Sequence, residues 1–226
     1  MRRTAAALLF VLGVLAVTES AITFAWQEPL TAVLAGRRQA ELERQLEARV
    51  AAPVPSRRSP AELAARLERS TEAGDALGRI AVPRLGLSYV FVEGSGSGSL
   101  AEGPGHYEST PLPGEHGTVG IAGHRTTHLA PFRRLDELHR GDAIVLAMPY
   151  GRFTYRVTGT EIVRPSSVSV LRRRARDGLV LTTCHPLFSA AERLVVFARE
   201  HRQQPRFDRR PKSATTVMPR PPYGEP

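Results

Sequence analysis

This chain of 226 residues has a single cysteine, Cys184, so no intrachain disulfide can hold it together. It has one long apolar run, near its N-terminus, and no second membrane span follows. It has no His-Glu-x-x-His, and although His124 and His128 stand four apart, no Glu lies between them and Gly123 suits a strand end better than a helix; no metal site is expected. Acid is scarce relative to base, giving a net charge of +9 with Arg heavily preferred over Lys. Yet the arginines are scattered or sit in short runs such as Arg57-Arg58 and Arg172-Arg173-Arg174. No helix-turn-helix, zinc-finger or RNP pattern accompanies them, so nucleic-acid binding is not the expectation. A high-GC genome or an anionic cell envelope accounts for the arginines equally well.

Four segments are expected. Residues 1–27 comprise Arg2-Arg3 and an apolar stretch over 5–26, long enough to cross a bilayer and interrupted only by Glu19 near its outer end. The two arginines place the N-terminus in the cytoplasm, and Trp26 suits the far interface. No small-x-small cleavage site follows, so the segment reads as an uncleaved transmembrane signal anchor. Residues 28–76 read as a stalk and linker: a polar helix over 28–50 with a thin stripe of Leu42, Leu46 and Val50, then Pro-rich chain. Ser59-Pro60-Ala61-Glu62 carries the signature of a capped helix start, running to about Arg69.

Residues 77–203 change character to short β-like runs: 80–82, 87–92, 118–122, 143–147, 152–157, 160–163, 179–183 and 194–198. Phe153, Tyr155 and Val157 alternate with Arg152, Thr154 and Arg156, a strand with one wet face. Pro149-Tyr150-Gly151 reads as a hairpin turn, Leu135 to Leu138 as one helical turn, and Gly94 to Ser99 as a flexible loop. Eight short strands with tight turns indicate a mainly β fold, a closed barrel or sandwich. Residues 204–226 are basic and Pro-rich with no apolar period, a composition that predicts disorder.

Within the β region, Leu179 to Thr183 is an apolar run that delivers Cys184 to a strand end, where Pro186 stops it. Gly120 to Ala122 is a second such run, ending on His124, and Arg193 opens a third. A thiol, a histidine and an arginine on neighbouring strand ends could supply a nucleophile, a proton-transfer partner and an oxyanion stabiliser. Leu-Thr-Thr-Cys-His-Pro followed at this spacing by Arg-Leu-Val-Val resembles the active-site signature of the sortases, and Ala-Gly-His-Arg resembles their histidine motif. Gly103-Pro-Gly-His-Tyr107, Pro131-Phe132 leading to Gly141-Asp142, and Thr183 to Ser189 are similar to the class E branch of high-GC Gram-positive bacteria. The resemblance covers about 77–203.

It implies an eight-stranded sortase-type β-barrel with short helices, preceded by the transmembrane helix. It implies Cys184 as nucleophile, His124 as general acid and later base, Arg193 as oxyanion donor, and Thr183 and His185 at the oxyanion or substrate groove. The reaction implied is transpeptidation, without a cofactor. A C-terminal sorting signal on a secreted protein, LAXTG-like for class E or LPXTG, is cut between Thr and Gly through a Cys thioacyl intermediate. A cell-wall precursor amine of the lipid II type then takes the acyl group. The expected location is the cell membrane, single-pass, with the catalytic domain outside. A specificity loop is expected between Thr160 and Leu179. Other readings are an L,D-transpeptidase-like enzyme, whose Ser-His-Gly-Cys differs from the neighbours of Cys184, and a membrane-tethered β-barrel that binds a partner with Cys184 buried.

Overall fold

The computed structural model describes residues 8–18, 29–55, 58–172 and 177–206. Residues 8–18 are helical with exposed apolar side chains. No helix among the described residues is long and apolar enough to cross a membrane. The span read over 5–26 lies partly outside the described residues, as does the tail beyond Arg206.

In chain order the elements are α1 (Pro29–Ala51), α2 (Pro60–Arg69), β1 (Ala76–Val82), β2 (Leu87–Glu93), α3 (Ser97–Glu102), β3 (Gly105–His106), β4 (Thr118–Ala122), β5 (Ala143–Met148), β6 (Gly151–Val163), β7 (Gly178–His185) and β8 (Glu192–Pro205). Single 3₁₀ turns lie at Pro83–Leu85, Leu135–Glu137 and Val168–Arg172. The strands close into a barrel in the order β1-β2-β3-β4-β7-β8-β6-β5. The β2–β3 and β4–β7 pairs are parallel and the rest antiparallel.

The strand count matches the sequence expectation, but the membership differs. The runs over 152–157 and 160–163 are one continuous strand, β6, because irregularities at Thr154/Tyr155 and Val157/Gly159 bend it without breaking its pairing to β8. The remaining strand is β3, two residues long and without any periodicity to betray it. The interior is filled by alternate residues, with Phe91, Ile121, Ile144, Leu146, Phe153, Tyr155 and Leu181 essentially inaccessible. Each contributes about 1.5–3 kcal/mol through burial. The hairpin turn forms at Pro149-Tyr150, where Met148 pairs with Gly151.

Helix α2 starts with the expected capping box: Ser59 accepts from the Glu62 N–H, and the Glu62 carboxylate accepts from the Ser59 N–H at 2.7 Å. Helix α1 is not a free stalk. Leu42 and Leu46 pack with Ala76, Val90 and Val92 on the outside of β1 and β2. The physical reason lies in β3, which meets β2 only at Val92 and Glu93 and leaves the rest of that β2 edge open. The Gln39 side-chain amide fills that edge, donating to Val90 O at 3.0 Å and accepting from Val90 N at 2.9 Å. Arg49 adds a bond to Ala76 O at 2.8 Å and an ion pair to Asp75 at 3.1 Å. Val50, the third member of the stripe, stays exposed.

The Gly94–Ser99 stretch is likewise ordered: Gly94 takes a left-handed turn at φ 92° and Ser97 enters α3. At the other end, β8 continues through Gln204 and Pro205, which pair with Arg152 and Gly151.

Candidate active site

Three adjacent strands bring the three expected residues to one edge of the barrel. Cys184 is the penultimate residue of β7 and lies directly opposite Arg193 of β8. Parallel pairing sets Ala122 of β4 against Thr182 of β7, and the Gly123 N–H continues it by donating to Thr182 O at 3.0 Å. Continued one step past the end of β4, that register would bring His124 level with Cys184.

Alternation decides which way these residues face. Val119, Ile121, Leu179, Leu181, Leu194 and Val196 point into the core. Val180 and Val195 belong to a separate cluster on the outer face, with Val170, Leu171 and Phe197. Cys184 shares the parity of Val180, His124 that of Ala122, and Arg193 that of Val195. All three are therefore on the outer face, in line with a strip floored by Gly120, Val180 and Thr182. Tyr107 rims that strip, its hydroxyl 2.7 Å from the Thr182 hydroxyl. Leu171, in the loop read as the specificity loop, borders Gly120.

Gly123 is required by close approach: a Cβ there would meet the Phe132 ring at 2.6 Å. Phe132 is fully buried, and its N–H donates to His124 O at 3.0 Å, which fixes the backbone of the histidine. The His124 ring stacks on His128 with centroids 4.7 Å apart and 23° between planes. Burial first, and the charge of His128 second, hold His124 below the usual histidine pKa. The segment carrying His128 is unusual, since His128, Leu129 and Ala130 all have positive φ. Among the described residues no group of three or more His, Cys, Asp or Glu could hold a metal ion.

The other expected residues are placed as follows. Arg193 is registered opposite the thiol, but its guanidinium donates to Ala190 O at 3.1 Å and Glu192 O at 3.0 Å in its own loop. Thr183 faces the interior, away from Cys184, and its hydroxyl donates to Gly123 O at 2.7 Å. Its side chain clamps β7 to the histidine strand end. His185 contacts Arg125, Nη1 to Nδ1 at 2.9 Å.

Arg125 is the residue that sequence reasoning passed over. Only 3% exposed, it donates to Cys184 O at 3.3 Å and to Arg133 O at 3.4 Å, and pairs with Asp136 at 2.9 Å. It thus joins the end of β4 to the end of β7 from below. The signal was an arginine directly after the histidine of an apolar strand end, with Asp136 downstream.

A sortase-domain family model matches residues 80–201, and the chain belongs to the sortase family, whose members are cysteine transpeptidases. It is 34% identical over 132 residues to Sortase D of Bacillus subtilis, covering 57% of this chain and 65% of that one. It is 30% identical over 158 residues to Sortase SrtE1 of Streptomyces coelicolor, covering 63% of this chain and 45% of that one. The matched stretch thus spans less than two thirds of either relative. The crystal structure of Sortase E1 from S. coelicolor, with a tripeptide in its active site, superposes with a TM-score of 0.56 at 29% identity, over 60% of this chain and 93% of that one. Sortase E of Streptomyces avermitilis superposes with a TM-score of 0.55 at 33% identity, over 59% and 93%.

Proposed function

We propose that this chain is a membrane-anchored cysteine transpeptidase that cleaves a C-terminal sorting signal and passes the acyl group to a cell-wall amine. The observation that supports this reading is the strand register: β4, β7 and β8 are neighbours, Cys184 pairs with Arg193, and His124 follows the end of β4, where Ala122 pairs with Thr182. The strip along β4 and β7, rimmed by Tyr107 and Leu171, would hold the signal in extended form. Cys184 attacks the Thr–Gly carbonyl as thiolate. Arg193 leaves its loop carbonyls and donates to the oxyanion, and His124 protonates the departing Gly amine. The incoming amine then gives its proton to His124. Because burial and the charge of His128 hold His124 below its usual pKa, the imidazolium needed to protonate the departing amine is a minor population at neutral pH.

The relatives bear class D as well as class E names, and the Gly103–Tyr107 and Thr183–Ser189 motifs favour the LAXTG-like signal of class E over LPXTG. The apolar stretch over 5–26, with Arg2 and Arg3 before it, supports a single-pass anchor with the barrel outside the cell. Mass spectrometry of the full chain with LAXTG and LPXTG peptides tests the reading. An adduct on Cys184 lacking the Gly half is expected; Cys184→Ala and His124→Ala should lose it with the fold intact. Arg193→Ala should keep thiol alkylation and lose turnover. Ready alkylation of Cys184 with no adduct from either peptide would point to another signal; resistance to both would favour a binding module.

A further inference from the structure

Two loops flank Cys184 and His124: the one running from His124 to Phe132 and beyond, and the β7–β8 loop. Arg133 bridges them. Its carbonyl is held by Arg125, its neighbour Phe132 is bonded to His124 O, and its guanidinium lies 5.8 Å over the ring of Phe188, four residues past the thiol. Phe188 itself is half exposed. Arg133 Nη1 is shut from solvent and has no hydrogen-bond partner among the described residues. A buried donor left unmade is costly, and a guanidinium fork matches a carboxylate in two parallel bonds. The neighbouring arginines are committed elsewhere: Arg125 to Asp136 and Cys184 O, Arg134 to Glu137 at 2.6 Å. Beyond Arg133 opens a cleft of about 360 Å³ between Leu87, Ser88 and Tyr89 on one side and Ala130 and Pro131 on the other.

We infer that Arg133 binds a carboxylate on the amine acceptor, and so selects among acceptors. This rests on the proposed transpeptidase reading. The acceptor must bring its amine to His124, because that imidazole takes its proton. Arg133, nine residues on in the same loop and with one donor still unmet, then meets a carboxylate one or two residues away from that amine. No bond is made or broken at Arg133; its contribution is binding.

The test uses the full chain with two acceptors that differ only in the terminal charge, triglycine and triglycinamide. With the thioacyl enzyme formed from a sorting peptide, the ratio of aminolysis to hydrolysis is measured for each. Wild type should prefer triglycine by about tenfold, the scale of one charge-assisted pair. Arg133→Gln should abolish the preference, which is read as a ratio and so is independent of any change in thioacylation common to both acceptors, and Arg133→Lys should keep part of it. A preference that survives in Arg133→Gln, or wild type that shows none, overturns the inference. An equal fall for both acceptors also overturns it, because it marks a structural role. Should no thioacyl enzyme form, the proposed signal fails where Cys184 is still alkylated, and the transpeptidase reading itself fails where it is not. The Arg133 site is then still read by saturation-transfer NMR on Cys184→Ala, where binding of triglycine but not triglycinamide, lost on Arg133→Gln, supports it and equal binding overturns it.

Discussion

Two residues shape the chemistry without reacting. Arg125 holds the carbonyl of the nucleophile and the ring next to it, while its own charge is met by Asp136. Arg125→Met fills the space but drops these bonds. Thioacylation should slow about tenfold or more, the scale of one lost charge-assisted bond, while the thiol stays alkylatable; an unchanged rate in a stopped peptide-cleavage assay would remove the positioning role. His128 acts on His124 through its stacked ring. His128→Phe keeps an aromatic partner and removes the charge. The His124 pKa should then rise toward its ordinary value, with burial still holding part of it down, as an NMR titration of the ring would show. The reactive imidazolium would persist to higher pH. Of this site, the strand-end positions of Cys184, His124 and Arg193 were legible in the sequence because each flanks a strand-like run. The orientation of Thr183 was not, because parity along β7 is fixed only once the core side of the sheet is known. Arg125 was hidden for another reason: nothing local distinguishes a buried arginine from the exposed ones that fill this basic chain.

Among the elements, α1 departs most from its reading. Its stripe of Leu42 and Leu46 was visible, but a stripe that thin gives no partner, and the partner turns out to be the outer face of β1 and β2. The helix compensates for the shortness of β3. Leu42→Ala should therefore destabilise the barrel itself by about 2 kcal/mol or more, read as a shift of the urea midpoint with β-sheet circular dichroism as the probe; a midpoint unmoved would return α1 to the status of a stalk. The same element scale explains what the sequence misjudged in the sheet. Thr158-Gly159 looks like a break between two strands, whereas pairing to the long β8 carries β6 through it. Gly105-His106 looks like loop because two residues cannot show a period.

At the scale of the whole molecule, the helix and the far end of β8 extend the folded unit past the borders read from composition. Arg206 donates to Val50 O and, at 3.2 Å, to Pro149 O, tying the end of β8 to the end of α1. A fragment of residues 51–203 removes α1 and cuts β8 short. Relative to residues 29–206 it should melt about 10 °C lower or more, given the buried Leu42 and Leu46 it loses, a difference that differential scanning calorimetry would resolve.

His124 and Cys184 lie sixty residues apart on strands paired in parallel, with β5, β6 and the loop to β7 intervening. No hairpin can bring them together; their meeting waits on the long-range closure of the ring, the slowest class of contact to form. Until then the thiol and the imidazole are held apart. On the proposed transpeptidase reading, the thiol and its proton-transfer partner are therefore assembled only when the fold is complete, and a half-folded molecule lacks the pair.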